Sequence, residues 1–265
     1  MYVTYMSAHI EPRSVDSYLS GICSGLESYF PHVREARKSR LVSRTLRGCK
    51  RRYSQPVSRA QPMSVDDLGT IHDALHSSTS HDDKLFLALV FTGFYALMRL
   101  GELVHSDNPV LRDPRKLTLR DNVTYHRSHY QFTLPTHKAD LFESNSILIR
   151  AQSNRPDPVR VFTSYISSRD ALAGFRPQLW LREDGSVPTR EWFMRRLRRF
   201  RPKLTGHSMR CGGTTFLAMT GVTPENIRRM GRWSSNAWEI YVRKHPVILQ
   251  AFVFGGQATG DPTAA

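Results

Sequence analysis

The sequence predicts a mainly helical protein with a small antiparallel β-sheet, an α+β fold class. Apolar residues recur every three or four positions over long stretches of the 265-residue chain, which is the spacing of one helix face. Three short runs, 117–125, 129–134 and 145–150, instead alternate between apolar and polar residues, as half-buried strands do. A segment with two prolines, 55–62, separates a short first part from a longer second part.

Two helices are predicted in the first part, residues 1–61. Residues 14–30 and 39–53 both place apolar side chains at helical steps. On the second of these helices we expect Leu41, Val42, Leu46 and Cys49 to face inward. Its polar face carries four arginines, namely Arg44, Arg47, Arg51 and Arg52.

The second part, residues 62–254, begins with a capped helix. Ser64 stands at the N-cap position and Asp67 follows three residues later, so we expect a helix from there to about His76. An apolar stretch, 82–103, predicts a long buried helix. Further helical patterns follow the three strands, at 159–172, 189–201, 207–220, 224–230 and 234–244. The last residues, 255–265, are small and polar, and we expect a disordered tail.

Positive charge is concentrated in two segments. The formal net charge is +15, and residues 31–60 carry ten Lys/Arg against one acidic residue, while 190–203 carry seven against one. Arginine dominates, and its planar fork pairs well with phosphate oxygens. Two basic patches on an otherwise neutral chain favour nucleic acid as the partner. A solvated surface or attraction to an anionic membrane is the alternative.

Hydropathy and cysteine spacing argue against a membrane-spanning, secreted, zinc-binding or disulfide-rich protein. No apolar run approaches the ~20 residues that span a bilayer, and residues 1–13 lack an apolar signal segment. The three cysteines, Cys23, Cys49 and Cys211, have neither the spacing of a zinc site nor that of a disulfide frame. We therefore expect an intracellular protein with free thiols and no membrane partner.

His207 and Arg210 stand three residues apart in a predicted helix, so their side chains project from one face. A histidine can accept or donate a proton and an arginine can grip two oxygens, which suits a phosphate in transfer. Alone, this spacing is common, and a structural histidine is the simpler interpretation. Trp233 and Tyr241 follow toward the C-terminus, and this order makes phosphoryl transfer to a tyrosine the sharper hypothesis.

Arg99 ends the apolar stretch, and Glu102 follows it by three residues. A buried, unpaired guanidinium is costly, so Arg99 requires an anionic partner. That partner is either Glu102 itself or a substrate phosphate, with Glu102 then orienting the guanidinium. Lys138 lies between the second and third predicted strands, where a turn leaves it in solvent or brings it to a DNA groove.

Together these residues resemble those of the tyrosine recombinases, or phage integrases, and more narrowly those of eukaryotic, especially fungal, mobile elements. The resemblance covers residues 62–254. It rests on the Lys138 hairpin and on three motifs, Leu97-Met98-Arg99-Leu100-Gly101-Glu102-Leu103, Gly206-His207-Ser208-Met209-Arg210-Cys211-Gly212-Gly213-Thr214 and Met230-Gly231-Arg232-Trp233-Ser234-Ser235 followed by Tyr241. It implies a tyrosine-recombinase catalytic domain at 62–254, preceded by a short, partial helical core-binding domain of the SAM-like type at 1–61.

The resemblance also implies an active site. In this family two arginines, a lysine, a histidine and a His-or-Trp surround the scissile phosphate, and a tyrosine is the nucleophile. Those positions are filled here by Arg99, Lys138, His207, Arg210, Trp233 and Tyr241. Glu102 would support Arg99. Because all six positions are filled, retained catalysis is the expectation.

The implied activity is DNA recombination, in which DNA is broken and rejoined through a covalent 3′-phosphotyrosine. No metal or cofactor is needed, since the arginines stabilise the developing charge. The implied partners are double-stranded DNA and further copies of the chain, as a tetramer on DNA in the nucleus. Arginines of the two basic segments would contact phosphates, namely Arg44, Arg47, Arg51, Arg52, Arg195, Arg198 and Arg199.

The sequence departs from the family pattern in three ways, and two alternatives stay open. Trp rather than His occupies position 233, Tyr241 follows it one residue sooner than in many bacterial relatives, and the first part is short. A type IB topoisomerase would share the chemistry without synapsis. A domesticated DNA-binding protein without catalysis would use the basic segments alone.

Overall fold

The computed structural model describes residues 1–56, 61–135, 145–153 and 156–234. The chain divides into two compact units, Met1–Arg59 and Ala60–Ala265. Within the described ranges both units are helical, and the second also holds a three-stranded antiparallel sheet. The predicted fold class, mainly helical with a small antiparallel sheet, is confirmed. In these same ranges, no helix combines the length and the apolar character needed to cross a bilayer.

Four helices form the described part of the first unit: α1 (Tyr2–His9), α2 (Pro12–Leu26), α3 (Val33–Lys38) and α4 (Arg40–Tyr53). The predicted helix at 39–53 is confirmed as α4, and Ser39 caps it by accepting a hydrogen bond from the backbone N–H of Val42. Buried residues of α1, α2 and α4 meet in a small core that includes Val15, Leu46 and Cys49. The prediction for Leu41 was wrong, since this residue is 79% exposed. Position 41 is about 100° away from the core-facing position 42 around the helix.

The second unit contains six described helices: α5 (Val65–Leu75), α6 (His81–Tyr95), α7 (Pro158–Ala173), α8 (Arg190–Phe200), α9 (Ser208–Met219) and α10 (Pro224–Met230). The predicted cap of α5 is confirmed as a reciprocal pair of hydrogen bonds. The hydroxyl of Ser64 accepts from the N–H of Asp67 at 3.0 Å, and the Asp67 carboxylate accepts from the N–H of Ser64 at 2.9 Å.

The three strands are β1 (Val123–Tyr125), β2 (His129–Leu134) and β3 (Asn145–Arg150), paired antiparallel in that order. Burial alternates along β2, with Tyr130, Phe132 and Leu134 inside. Tyr130 stacks on Phe162 of α7 with 3.9 Å between ring centroids. The strand bounds 129–134 and 145–150 are as predicted. The first strand is shorter than predicted because Arg120–Asn122 form a 3₁₀ turn before it.

Helix α6 is buried along most of its length, which explains its continuous apolar sequence. The prediction that this helix reaches residue 103 was wrong, because it ends at Tyr95. Leu97 then adopts a left-handed backbone with φ of 51°, and a 3₁₀ turn follows at Leu100–Glu102. No glycine or proline marks this break in the sequence, and such residues are the usual signals of a helix end.

Two adjacent glycines bring α9 into backbone contact with its neighbours. A Cβ on Gly212 would lie 1.9 Å from the carbonyl oxygen of Met63, and one on Gly213 would lie 2.0 Å from that of Phe94. Only glycine fits such an approach. The first turn of α9, which carries Arg210, is thereby held against the C-terminal end of α6.

Candidate active site

Arg210 lies in the first turn of α9 and is 1% exposed. Its Nη1 donates a hydrogen bond to the carbonyl of Leu97 at 2.7 Å, and its Nη2 donates to the carbonyl of Gly231. The guanidinium carbon lies 3.9 Å from the ring centroid of Trp233, a cation–π contact. Carbonyl acceptors fix the direction of this guanidinium without neutralising its charge.

The Leu97 carbonyl faces Arg210 because the chain turns sharply after α6. A left-handed conformation costs a leucine about 1–2 kcal/mol. The N–H of Met98 donates to the carbonyl of Gly93 at 3.0 Å, and the buried Leu97 side chain packs with Ile227. These contacts hold the strained residue in place. Backbone strain therefore occurs beside a predicted catalytic arginine.

Arg99 and Glu102 form an ion pair across the 3₁₀ turn. Oε1 of Glu102 accepts from Nη1 of Arg99 at 3.0 Å, and Oε2 accepts from the Arg99 backbone N–H at 2.9 Å. The Arg99 side chain is 44% exposed, whereas that of Glu102 is 17% exposed. Arg99 thus pairs with Glu102 while part of its side chain is exposed to solvent. Pairing with Glu102 and binding of a substrate phosphate, the two partners considered from the sequence, are therefore compatible.

The ionisation of Glu102 is favoured by its neighbours. Burial opposes the charged form, but the charge of Arg232 and the hydrogen bonds from Arg99 outweigh it, so the pKa of Glu102 lies below its ordinary value. Glu102 is therefore a carboxylate at physiological pH and can accept from both arginines.

His207 stands at the N-cap position of α9. Burial lowers the pKa of its imidazole, and the positive charges of Arg210 and Arg99 lower it further. His207 is consequently mostly neutral near pH 7, the form of an imidazole that accepts a proton. The segments that carry Arg99 and His207 are in contact despite their distance in sequence, since a Cβ on Gly206 would lie 2.4 Å from the side chain of Leu100.

Trp233 lies over Gly231 and packs against the cluster of Leu97 and Ile227. A Cβ on Gly231 would lie 1.5 Å from the indole ring, so any larger residue at 231 displaces the ring. The glycine thus permits the indole to sit directly against the guanidinium of Arg210.

Arg232 belongs to the same group of side chains, although the sequence did not single it out. Its side chain is 5% exposed, and its Nη2 lies 3.0 Å from Oε2 of Glu102. Its backbone is left-handed, with φ of 54°. The sequence signal was weak because Glu102 precedes Arg232 by 130 residues, and an arginine between a glycine and a tryptophan is also consistent with a surface turn.

The sequence matches no protein-family profile and no curated protein. The fold, in contrast, is similar to solved recombinase structures. XerA recombinase superposes with a TM-score of 0.56 at 15% identity, covering 96% of this chain and 86% of its own. The Tn1549 transposon integrase, in complex with circular intermediate DNA, gives 0.57 at 13% identity, with 95% and 82% covered. This is the tyrosine-recombinase fold.

A third recombinase-fold structure is XerH site-specific recombinase bound to difH substrate. It superposes with a TM-score of 0.51 at 15% identity, covering 92% of this chain and 70% of its own. At such identities the similarity concerns the fold. The chemistry depends on the residues of this chain.

The structure brings together four of the six predicted catalytic residues, namely Arg99, His207, Arg210 and Trp233. Lys138 and Tyr241 lie outside the described residues. The described strands before and after Lys138 in the sequence, β2 and β3, pair antiparallel from Leu134 and Asn145 onward. The catalytic roles of all six stay predictions.

The predicted DNA-binding arginines lie on the solvent sides of two helices. Among the exposed residues are Arg44, Arg47, Arg51 and Arg52 on α4 and Arg195, Arg198 and Arg199 on α8. On α8 the opposite face buries Phe193 and Leu197. The helix therefore packs through one face and leaves the other for an anionic partner, and contact with DNA stays a prediction.

Proposed function

We propose that this protein is a site-specific DNA recombinase of mobile-element origin that breaks and rejoins DNA through a 3′-phosphotyrosine at Tyr241. One observation supports the proposal most directly: Arg210 stacks on Trp233 and donates a hydrogen bond to the turn that carries Arg99, although the two arginines lie far apart in the sequence. The carbonyl of Leu97, two residues before Arg99, accepts a hydrogen bond from Arg210. The recombinase fold adds independent support.

The proposed reaction begins with attack of the Tyr241 hydroxyl oxygen on a backbone phosphorus. His207 takes the phenolic proton, the phosphorus–O5′ bond breaks, and Lys138 gives a proton to the departing 5′ oxygen. A phosphorus–tyrosine bond replaces the phosphodiester bond, so the step needs no nucleotide hydrolysis. Attack by a free 5′-hydroxyl on this link reverses the chemistry and rejoins DNA.

Charge on the non-bridging phosphate oxygens grows as the reaction proceeds. Arg99 and Arg210 are the proposed main donors to these oxygens, and the indole N–H of Trp233 is a third. Arg210 is already held in direction by carbonyl acceptors and an aromatic ring. Donors fixed in advance need no reorganisation at the moment of reaction.

Double-stranded DNA is the proposed partner, bound by a homotetramer in the nucleus. The XerH structure contains difH substrate and the Tn1549 integrase structure contains circular intermediate DNA. The exposed arginines of α4 and α8 provide the positive charge that phosphate contacts require. The proposed tetramer would bring two DNA sites together.

A nicked suicide duplex, built from repeats in the DNA that flanks the gene, tests this proposal. Cleavage near the nick releases a short fragment, so the covalent complex cannot rejoin and accumulates. We expect the native chain to form an adduct that survives denaturation, and Tyr241→Phe to form none. Tyr29→Phe, at a tyrosine that is 78% exposed, is the matched control and should keep the adduct.

Two other results would favour other functions. Tight DNA binding without any adduct would favour a non-catalytic DNA-binding protein. Relaxation of a supercoiled plasmid without strand exchange between duplexes would favour a type IB topoisomerase.

A further inference from the structure

We propose that Arg232 is a positioning residue, which aims Arg99 through Glu102 and ties it to Arg210 through the carbonyl of Leu97. The inference rests on the proposed function. It assigns a role to a buried side chain outside the six predicted catalytic residues.

The first link is the shared carboxylate of Glu102. Its Oε1 accepts from Nη1 of Arg99 at 3.0 Å, while its Oε2 accepts from the Arg99 backbone N–H at 2.9 Å and from Nη2 of Arg232 at 3.0 Å. The last torsion of a glutamate is broad and favours no single orientation. A second cation on Oε2 therefore fixes the carboxylate plane and, with it, the direction of the Arg99 guanidinium.

The second link is the carbonyl of Leu97. It accepts from Nη1 of Arg210 at 2.7 Å and from Nη2 of Arg232 at 3.4 Å. Arg232 also donates from Nη1 to the carbonyl of Met230 at 3.0 Å and lies 3.5 Å from that of Ala96. The same guanidinium thus joins the end of α6, the end of α10 and the turn that carries Arg99.

Two costly features show that stability alone is a poor explanation for this arginine. Its φ of 54° is a conformation that glycine adopts without strain. Its guanidinium is buried, and a buried ion pair often contributes no more stability than apolar side chains of similar volume. An arginine at this position carries both costs, which is reasonable if its guanidinium directs other charges.

The test compares variants of Arg232 by the single-turnover rate of adduct formation at saturating suicide duplex, with DNA affinity measured separately. Loss of aim at a reacting group can cost about 10²-fold in rate, so we expect Arg232→Met and Arg232→Gly to slow cleavage about 10- to 100-fold. DNA affinity should fall by much less, because Arg99 is one of several proposed phosphate contacts. Arg232→Lys, which keeps one charged donor, should fall between them and the native chain.

Two controls separate positioning from folding. Arg232→Gly suits the left-handed backbone, so its thermal unfolding should stay cooperative even where Arg232→Met is destabilised. Arg229→Met removes an arginine of the preceding helix, α10, that is 76% exposed and paired with Glu225. It should cleave like the native chain, and a loss there equal to that of Arg232→Met would overturn the specific role of Arg232.

A double-mutant cycle with Arg99 provides the decisive readout. If Arg232 acts through Arg99, its substitution should matter little once Arg99 is gone. We expect Arg232→Met to slow an Arg99→Ala variant by less than about threefold. An equal loss in both backgrounds would refute the positioning role.

Failure of the recombinase proposal would be visible separately, as the absence of an adduct from the native chain. The same cycle is then measured on affinity for a duplex of fixed sequence. Arg232→Met must weaken binding when Arg99 is present and leave it unchanged in Arg99→Ala. Equal weakening in the two backgrounds, or none in either, would refute the positioning role.

Discussion

Arg210 contacts two backbone carbonyls and the face of an indole, whereas Arg99 contacts a carboxylate. At the scale of single residues, this difference determines how far these contacts offset the charge of each arginine. The carbonyls leave the charge of Arg210 intact, and the carboxylate partly offsets that of Arg99 while holding it in direction. Burial lowers the pKa of the His207 imidazole, and the charges of Arg210 and Arg99 lower it further.

The pH dependence of cleavage should reflect His207. Because the fold lowers its pKa below the ordinary 6.5, His207 is neutral above pH 6.5, and adduct formation should not decline until the pH falls below that value. Below pH 6.5 the unfolded chain binds a proton at this residue more readily than the folded one, so the stability of the fold should fall there too. Single-turnover rates between about pH 5 and 8, measured well below saturation so that they report the free protein, provide the measurement.

Two substitutions check whether the decline in rate below pH 6.5, the acid limb of the profile, is due to His207. His207→Gln should remove the limb along with most of the rate, while His126→Gln, at an exposed histidine, should leave both unchanged. An acid limb centred above pH 6.5, or one that persists in His207→Gln, would contradict the prediction.

At the scale of elements, the position of helix α9 depends on a close backbone approach at Gly213. Gly213 lies so close to the carbonyl of Phe94 that a Cβ would be 2.0 Å from it, whereas a Cβ on Gly69 of α5 would meet nothing within 4 Å. We expect Gly213→Ala to lower the free energy of unfolding by at least about 1–3 kcal/mol through overpacking. Gly69→Ala should instead raise it by about 0.5–1 kcal/mol, since alanine is the better helix former.

Thermal or denaturant unfolding of the two variants measures this difference. Gly213→Ala should also slow cleavage, because the displaced helix carries Arg210. Equal effects of the two substitutions on unfolding would show that the close approach of α9 is not a constraint.

The arginine face of α4 leads to a prediction for DNA affinity. Each phosphate contact that is lost should reduce the salt slope of log affinity by about 0.9. Replacing Arg47, Arg51 and Arg52 together by glutamine should therefore flatten the slope by about 2–3. Titrations of duplex binding at several salt concentrations test this, with Arg160→Gln on α7, 91% exposed, as control. An unchanged slope in the triple variant would remove α4 from the DNA interface.

For the whole molecule, the clearest prediction concerns metal ions. Cleavage should proceed at the same rate in excess chelator, because guanidinium groups supply the stabilising charge. Among the described residues, those with metal-ligand spacing are His72, Asp73 and His76, whose ligand atoms lie within 4.8 Å of one another. None of these is a predicted catalytic residue. Inhibition by chelator in both the native chain and His76→Ala would contradict the prediction.

Much of the fold could be predicted because its signals are local. The capping pair of Ser64 and Asp67 and the alternation along β2 each occupy a few consecutive residues. The break after α6 could not be predicted, since the left-handed residue is a leucine with a fully buried side chain. Tertiary contacts, which no local pattern records, hold that residue in place.

The candidate site also has residues that local sequence patterns could identify and one that they could not. Arg99, His207, Arg210 and Trp233 were found because each belongs to a motif that resembles a known family. Arg232 was missed because its partners, Glu102 and the carbonyl of Leu97, lie more than a hundred residues earlier in the chain. Only the folded structure shows that these charges share acceptors.

The carbonyl oxygen of Leu97 accepts hydrogen bonds from Arg210 and Arg232, yet it belongs to the backbone. Every substitution at position 97 leaves an oxygen there, so a systematic scan of side chains would never delete it. An alignment of sequences would not reveal the role of this oxygen either, since any amino acid supplies the same atom. The orientation of this site therefore depends in part on backbone conformation rather than on the identity of a side chain.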